Sequence, residues 1–201
     1  ITSPVALKVG DTITSKVDPV WRTNAMKNHT ATHLLQAALI QLFGKQIKQS
    51  GSVVNPDYLR FDFSHAAQLQ GEEIEKIETL VNQAIDKAIK VTTKELPLAE
   101  AKKTGAVAAF DEKYGDVVRV VSMDDASVEF CGGTHVKNTK DIGYFTIVKE
   151  SSPGAGNRRI EAVCNGKVKE YFIHEFEFLQ KKANEFNSRV NELPDNAELI
   201  F

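Results

Sequence analysis

Arg22-Thr23-Asn24-Ala25-Met26-Lys27-Asn28-His29-Thr30-Ala31-Thr32-His33-Leu34-Leu35-Gln36-Ala37-Ala38-Leu39-Ile40-Gln41-Leu42-Phe43 is the stretch from which the rest of the chain is best read. No Gly or Pro interrupts it before Gly44, which is a natural stop. Its second half, from Leu34 to Phe43, is apolar nearly all round, broken only by Gln36 and Gln41. A helix without a polar face must be buried, so this one is expected at the centre of the fold. It also carries His29 and His33 at positions i and i+4. That spacing puts both imidazoles on one face, one turn apart, within reach of a common point.

Working outward, residues 5–18 read as a strand region around Val9, Ile13 and Val17. After Gly44 two strands are expected, Ser50–Val54 and Tyr58–Ser64; in the second, Leu59, Phe61 and Phe63 alternate with Arg60, Asp62 and Ser64. Gly71–Val91 is an amphipathic helix with its acids in the first turn, where the helix dipole favours them. A short helix follows from Pro97 to Thr104, then strands at Val117–Ser122, Ser127–Phe130, Tyr144–Lys149 and Arg159–Cys164. Strands grouped apart from helices predict an α+β fold: an antiparallel sheet packed with the buried long helix. From Val168 the pattern changes to steps of four and three: Phe172, Phe176, Leu179, Ala183, Phe186 and Val190, ended by Pro194. This is either a helical tail docked on the body or a short coiled coil that pairs two chains, a homodimer through residues 168–190.

The chain has 201 residues with a formal net charge of -2, enough for one sizeable core. That balance argues against gripping long nucleic acid by bulk charge, but leaves room for a local basic rim. No transmembrane span or signal peptide is present, so no membrane partner is expected. Two cysteines, Cys131 and Cys164, make no disulfide framework, and a reducing, cytoplasmic setting fits them best. Ile1 opens inside a strand-like pattern and Phe201 closes inside an apolar run, as in a piece of a longer protein.

A second chemical motif is Cys131-Gly132-Gly133-Thr134-His135, directly after the Ser127–Phe130 strand. Its glycines let the chain turn so that Cys and His converge. With His29 and His33 it offers three imidazoles and a thiol, the preferred donors of Zn²⁺. Each pair alone is weak: such a histidine pair is often an exposed helix feature, and a lone cysteine is usually core. The residues by themselves therefore leave zinc open. Several alternatives do not fit. Thr30 stands where a metalloprotease helix needs Glu. The His-x-Glu and Pro-Cys-x-x-Cys runs of zinc deaminases are absent. So are phosphate-binding glycine loops.

Taken together, several runs make the pattern specific. Asn28–Leu35, Gln49–Val54, Leu59–His65, Val128–Val136 and Arg158–Val163 occur in the order found in the editing domains of alanyl-tRNA synthetases, and the chain resembles that family over most of Asn24 to Asn165. The second domain of threonyl-tRNA synthetase shares both metal-type pairs but lacks the Arg-Phe-Asp-Phe and Arg-Arg-Ile-Glu-Ala runs. The resemblance implies the second-additional-domain fold of these synthetases. Residues 1–20 would end a preceding β-rich subdomain, 21–166 would form the editing domain, and 167–201 a truncated coiled-coil-like tail.

By the same resemblance, His29, His33, Cys131 and His135 would be zinc ligands. Gln49, Thr30 and Cys131 would serve catalysis. Gly132, Gly133, Arg158 and Arg159 would meet the tRNA(Ala) 3' end, although Arg159 can equally pair with Glu161. Asp62 and His65 read as structural. The implied activity is hydrolysis of mischarged Ser-tRNA(Ala) and Gly-tRNA(Ala). Other readings are a free-standing trans-editing deacylase and a non-catalytic, zinc-stabilised module for tRNA binding or assembly. Four protein ligands would close a tetrahedron, whereas catalytic zinc normally keeps one position open, and Cys131 is the first candidate to be loose. The loop Ser151–Asn157 departs from the family in its Pro153 and Asn157.

Overall fold

The computed structural model describes residue 6 and residues 8–108 and 114–191. Its elements are α1 (Pro19–Phe43), β1 (Gln49–Val54), β2 (Leu59–Ser64), α2 (Gly71–Asp86), β3 (Thr92–Pro97), α3 (Leu98–Ala101), β4 (Val107–Ala108), β5 (Val117–Met123), β6 (Ser127–Phe130), β7 (Phe145–Gly154), β8 (Asn157–Cys164) and α4 (Gly166–Asn191). Short 3₁₀ turns cover Lys102–Thr104 and Thr139–Ile142. The fold is α+β, as expected.

Helix α1 begins earlier than the sequence pattern suggests, because Asp18 caps it. The Asp18 carboxylate accepts the Trp21 N–H at 2.7 Å, and Pro19 fills the first turn, where no N–H is missed. Gly44 ends it with φ 95°, a conformation costly for other residues. Ala31, Leu34, Leu35, Ala38 and Leu39 are buried, and so are Asn28, Thr30, Thr32, His33 and Gln36. This helix is the centre of the molecule.

Two antiparallel-rich sheets flank it, in the orders β1-β2-β8-β7 and β3-β5-β6-β4. In the first, Leu59, Phe61 and Phe63 of β2 and Ile160, Ala162 and Cys164 of β8 share the inward face, as strand alternation dictates, and join α1 and α2 in one core. Completely burying a side chain such as Phe61 stabilises by roughly 1.5–3 kcal/mol relative to exposure. The second sheet has two working faces. Val118, Val120 and Phe130 form a small core with Ala101 of α3. The alternate residues of β5 and β6, among them Met123, Ser127 and Glu129, face the other way, toward α1.

Edge strand β7 is capped by side chains of α2 in place of a further strand. Asn82 both donates to the Phe145 carbonyl and accepts its N–H, and Glu78 accepts the Ile147 N–H and the Thr146 hydroxyl. Such cover blunts an edge that would otherwise template pairing.

Several sequence expectations are corrected. Residues 8–18 form no strand, and Val9, Ile13 and Val17 are exposed; an apolar alternation without a partner strand has nothing to pair with. Helix α2 ends at Asp86, followed by Ala88 at φ 51°, so Thr92–Pro97 becomes a strand that the polar sequence conceals. The stretch Ser151–Gly154 belongs to β7; Pro153 is tolerated because β7 is an edge, and Gly156 at φ 74° makes the turn into β8. Helix α4 forms as predicted, with Phe172, Phe176, Leu179 and Phe186 exposed; Pro194 and the closing apolar run lie outside the described residues. Among the described residues no helix is long and apolar enough to cross a membrane.

Candidate metal centre

The two chemical motifs meet. One ligand atom from each of His29, His33, Cys131 and His135 lies within 4.8 Å of every other. The Cys131 sulfur stands 3.5 Å from Nε2 of His29 and 3.4 Å from Nε2 of His135. In a zinc tetrahedron with ordinary bond lengths, a sulfur and a nitrogen are separated by about 3.5 Å. The donor set and these two edges therefore fit a zinc ion.

One imidazole, His135, is held by an outer hydrogen bond that leaves its other nitrogen facing the cluster. His135 points Nδ1 at the Thr30 hydroxyl, 3.1 Å away. Thr30 donates to the Met26 carbonyl at 2.9 Å and accepts the Val136 N–H at 3.2 Å. With its own proton committed, the hydroxyl must accept from His135, which puts the ring proton on Nδ1 and the lone pair on Nε2. His33 turns Nδ1 toward the Glu129 carboxylate at 3.5 Å, too far for a hydrogen bond. Glu129 in turn accepts the Ser127 hydroxyl at 2.9 Å. Such outer partners fix ligand orientation and tautomer.

Electrostatics favour neutral, ligand-ready imidazoles. Burial, reinforced by neighbouring histidines and the Arg119 charge, lowers His33 to about 3 and His135 to about 2. Burial also lowers His29, against a hydrogen bond with the Thr134 backbone. The Cys131 thiol is pushed up, chiefly by burial, and Glu129 is raised to about 8 for the same reason. A metal must therefore displace a thiol proton, but no imidazolium proton, at neutral pH.

The loop carrying Cys131 and His135 is set by contacts the sequence does not advertise. The Cys131 N–H donates to the Arg119 carbonyl at 3.0 Å. The Arg119 guanidinium donates to the carbonyls of Cys131 and Gly133, at 2.7 and 2.6 Å. Neither Gly132 nor Gly133 has the positive φ that a tight glycine turn would need. Gly133 is required for a different reason: a Cβ there would stand 2.0 Å from Cε1 of His29. Gly132 borders open space, and it and Thr134 are exposed, so the centre opens on that side while His33 lies at its floor.

Of the remaining expected site residues, Gln49, Thr30, Arg158 and Arg159, only Thr30 bonds a donor residue, through Nδ1 of His135. Gln49 opens β1 opposite Phe63, beside a bulge. Thr30 is wholly buried and its hydroxyl fully engaged, the arrangement of a helical Thr bonded to its own backbone. Arg158 holds Glu150 with both arms of its guanidinium, and Arg159 grips Asp62 with two 2.7 Å bonds across the β2–β8 pairing. Asp62, not Glu161, is thus the partner that Arg159 bonds. His65 lies against Phe43 and Phe63, a structural place. Arg119, Ser127 and Glu129 were not anticipated. For Arg119 and Glu129 the signal is a charged residue within an apolar strand, in Val-Val-Arg-Val-Val and Val-Glu-Phe; Ser127 carries none.

Residues 118–161 match the family described as the threonyl and alanyl tRNA synthetase second additional domain. Alanine–tRNA ligase of Leptospira biflexa is 53% identical over 186 residues, 92% of this chain and 20% of the relative. The ligases of Listeria monocytogenes and Listeria welshimeri are 48% and 50% identical over 194 residues, 96% of this chain and 22% of each relative. The chain spans about a fifth of the length of the curated relatives it matches. A matched domain carrying half of the metal centre, and near-complete coverage at about half identity, place the chain in the alanyl-tRNA synthetase family, as a segment that contains its second additional domain.

Proposed function

We propose that this segment is an editing hydrolase: it cleaves the ester of mischarged Ser-tRNA(Ala) and Gly-tRNA(Ala) as part of a cytoplasmic alanyl-tRNA synthetase. The observation that carries this reading is the convergence of four neutral donors beside an open, glycine-lined edge. A zinc ion held by His29, His33, Cys131 and His135 would supply Lewis acidity toward the ester carbonyl or the ribose. The chain's own part is orientation. Thr30 holds His135, Glu129 faces His33, and the Gly132 side admits the tRNA 3' end.

Selectivity follows from an asymmetry of binding. A pocket for alanine rejects serine poorly, because serine only adds a hydroxyl. A second site that hydrogen-bonds that hydroxyl leaves its own polar groups unpaired when alanine enters, so alanine is spared. Gln49, at the start of β1, is the partner we assign to the hydroxyl, while Thr30 acts through His135. Arg158 and Arg159 would meet the tRNA terminus with the edges their carboxylate partners leave free. A homodimer through residues 168–190 would cover the exposed Phe172, Phe176 and Leu179. Light scattering before and after truncation at Lys167 tests this, and an unchanged monomer mass rules it out.

The deciding experiment compares hydrolysis of Ser-tRNA(Ala) and Ala-tRNA(Ala) with and without a chelator. Faster cleavage of the serine ester, abolished by chelation, is expected. If neither ester is cleaved faster than in buffer while tRNA still binds, the segment is a binding module instead.

A further inference from the structure

We infer that Arg119 is a positioning residue that locks the Cys131–His135 loop into its metal-ligating shape. This rests on the metal centre proposed above. Three contacts converge on the loop from this one residue of β5. Its carbonyl accepts the Cys131 N–H, and a single guanidinium nitrogen, Nη1, bridges the carbonyls of Cys131 and Gly133. A second nitrogen, Nη2, reaches the Thr93 hydroxyl of β3 at 3.4 Å. The loop is thus tied to the middle of its sheet at both ends of the Cys-Gly-Gly turn.

This clamp is not replaceable by packing. Gly132 touches nothing within 4 Å of where a side chain would begin, and Gly133 has no side chain with which to anchor itself. Among the described residues Arg119 forms no ion pair with a carboxylate. Its bonds go to neutral oxygens, so charge pairing does not account for its place. Charge-assisted bonds of 2.6 and 2.7 Å are of the strong kind. Bridging two carbonyls two residues apart fixes the distance between them, and with it the direction of the Cys131 sulfur and the approach of Gly133 to the His29 ring. Arg119 hydrogen-bonds the loop's carbonyls and none of the donor atoms; its charge also reaches the imidazoles through space, but only the loop contacts set where the Cys131 sulfur stands.

The test uses Co²⁺ as a visible probe of the protein stripped of metal. Its thiolate charge-transfer and d–d bands report the geometry at Cys131. Arg119→Met removes the donors while keeping the stem, and Arg119→Lys keeps one donor group. We expect Arg119→Met to retain the far-ultraviolet circular dichroism of the wild type but to bind Co²⁺ about 10–100-fold more weakly, with shifted d–d bands. Arg119→Lys should fall between the two. Wild-type affinity and spectrum in Arg119→Met would overturn the inference. Should Arg119→Met fail to fold, Arg119→Lys decides: weakened, shifted binding supports the clamp, and unchanged binding overturns it. If the wild type itself binds no Co²⁺, the metal centre fails, an outcome separate from failure of the clamp.

Discussion

The two halves of the metal centre are built by different means. His29 and His33 stand on α1, whose flanks are buried in the main core among Leu34, Leu35, Phe61 and Phe63. Cys131 and His135 stand on a loop behind a sheet whose own core is small: Ala101, Val118, Val120 and Phe130. The helix half is fixed by packing, and the loop half by hydrogen bonds from the Arg119 guanidinium and to the Thr30 hydroxyl. The difference teaches where each kind of mutation should register. Damage to the core should lower stability and leave the centre intact in folded molecules. Damage to the loop should weaken metal binding with little change in the fold.

The largest effect expected on stability tests the first half. Phe61→Ala should cost about 3–5 kcal/mol, measured by urea unfolding, because Phe61 is wholly buried. Metal stoichiometry in the surviving folded protein should be unchanged; a loss of metal there would break the contrast. For the loop half, Cys131→Ala should weaken zinc more than the roughly 10–100-fold typical of losing an outer partner. Chelator competition and elemental analysis measure this, and full zinc occupancy would remove Cys131 from the ligand set.

The two glycines sharpen the contrast further. Gly133→Ala should displace the His29 ring and weaken metal binding at least about 10-fold, an effect like that of losing an outer-shell contact. Gly132→Ala should leave metal affinity alone, since nothing lies near the added carbon. Equal affinities for the two variants would show that the loop is looser than its hydrogen bonds imply.

A subtler prediction concerns pH in metal-stripped protein. Glu129 keeps its proton in the folded state up to about 8, while the unfolded chain releases it near 4.5. Its contribution to stability is therefore present below pH 4.5 and lost as pH rises toward 8. His33 and His135 act oppositely: the unfolded chain takes up protons below 6.5 that the folded state refuses until about 3 and 2. Their contribution grows as pH rises to 6.5. Stability should thus rise toward pH 6.5 and then fall, and Glu129→Gln should abolish the fall. Denaturation midpoints across pH 5–8.5 measure this, and an unchanged decline in Glu129→Gln would assign it to another group.

Much was legible before any coordinates. The C-terminal end and burial of α1 and the inward alternation of Leu59, Phe61 and Phe63 follow from local periodicity, whereas the ligand set is what the family resemblance implies. What escaped was structure made by distant partners. Thr92–Pro97 is polar and mostly exposed, so only its pairing with β5 makes it a strand. Val9, Ile13 and Val17 carry a strand pattern and find no partner. The sequence offers Arg158 to nucleic acid and leaves Arg159 between nucleic acid and Glu161, whereas cross-strand register delivers Arg158 to Glu150 and Arg159 to Asp62.

By itself, the sequence determined which residues could bind a metal and that two of them share a helix face, because a helical repeat is set by neighbours along the chain. Only the tertiary structure decided that the thiol would arrive. Cys131 lies 102 positions from His29, and their meeting depends on the β5–β6 pairing, on Arg119 holding two carbonyls, and on Gly133 leaving room for a ring. No local pattern encodes such a convergence, since the free energy that fixes it comes from contacts between segments distant along the chain.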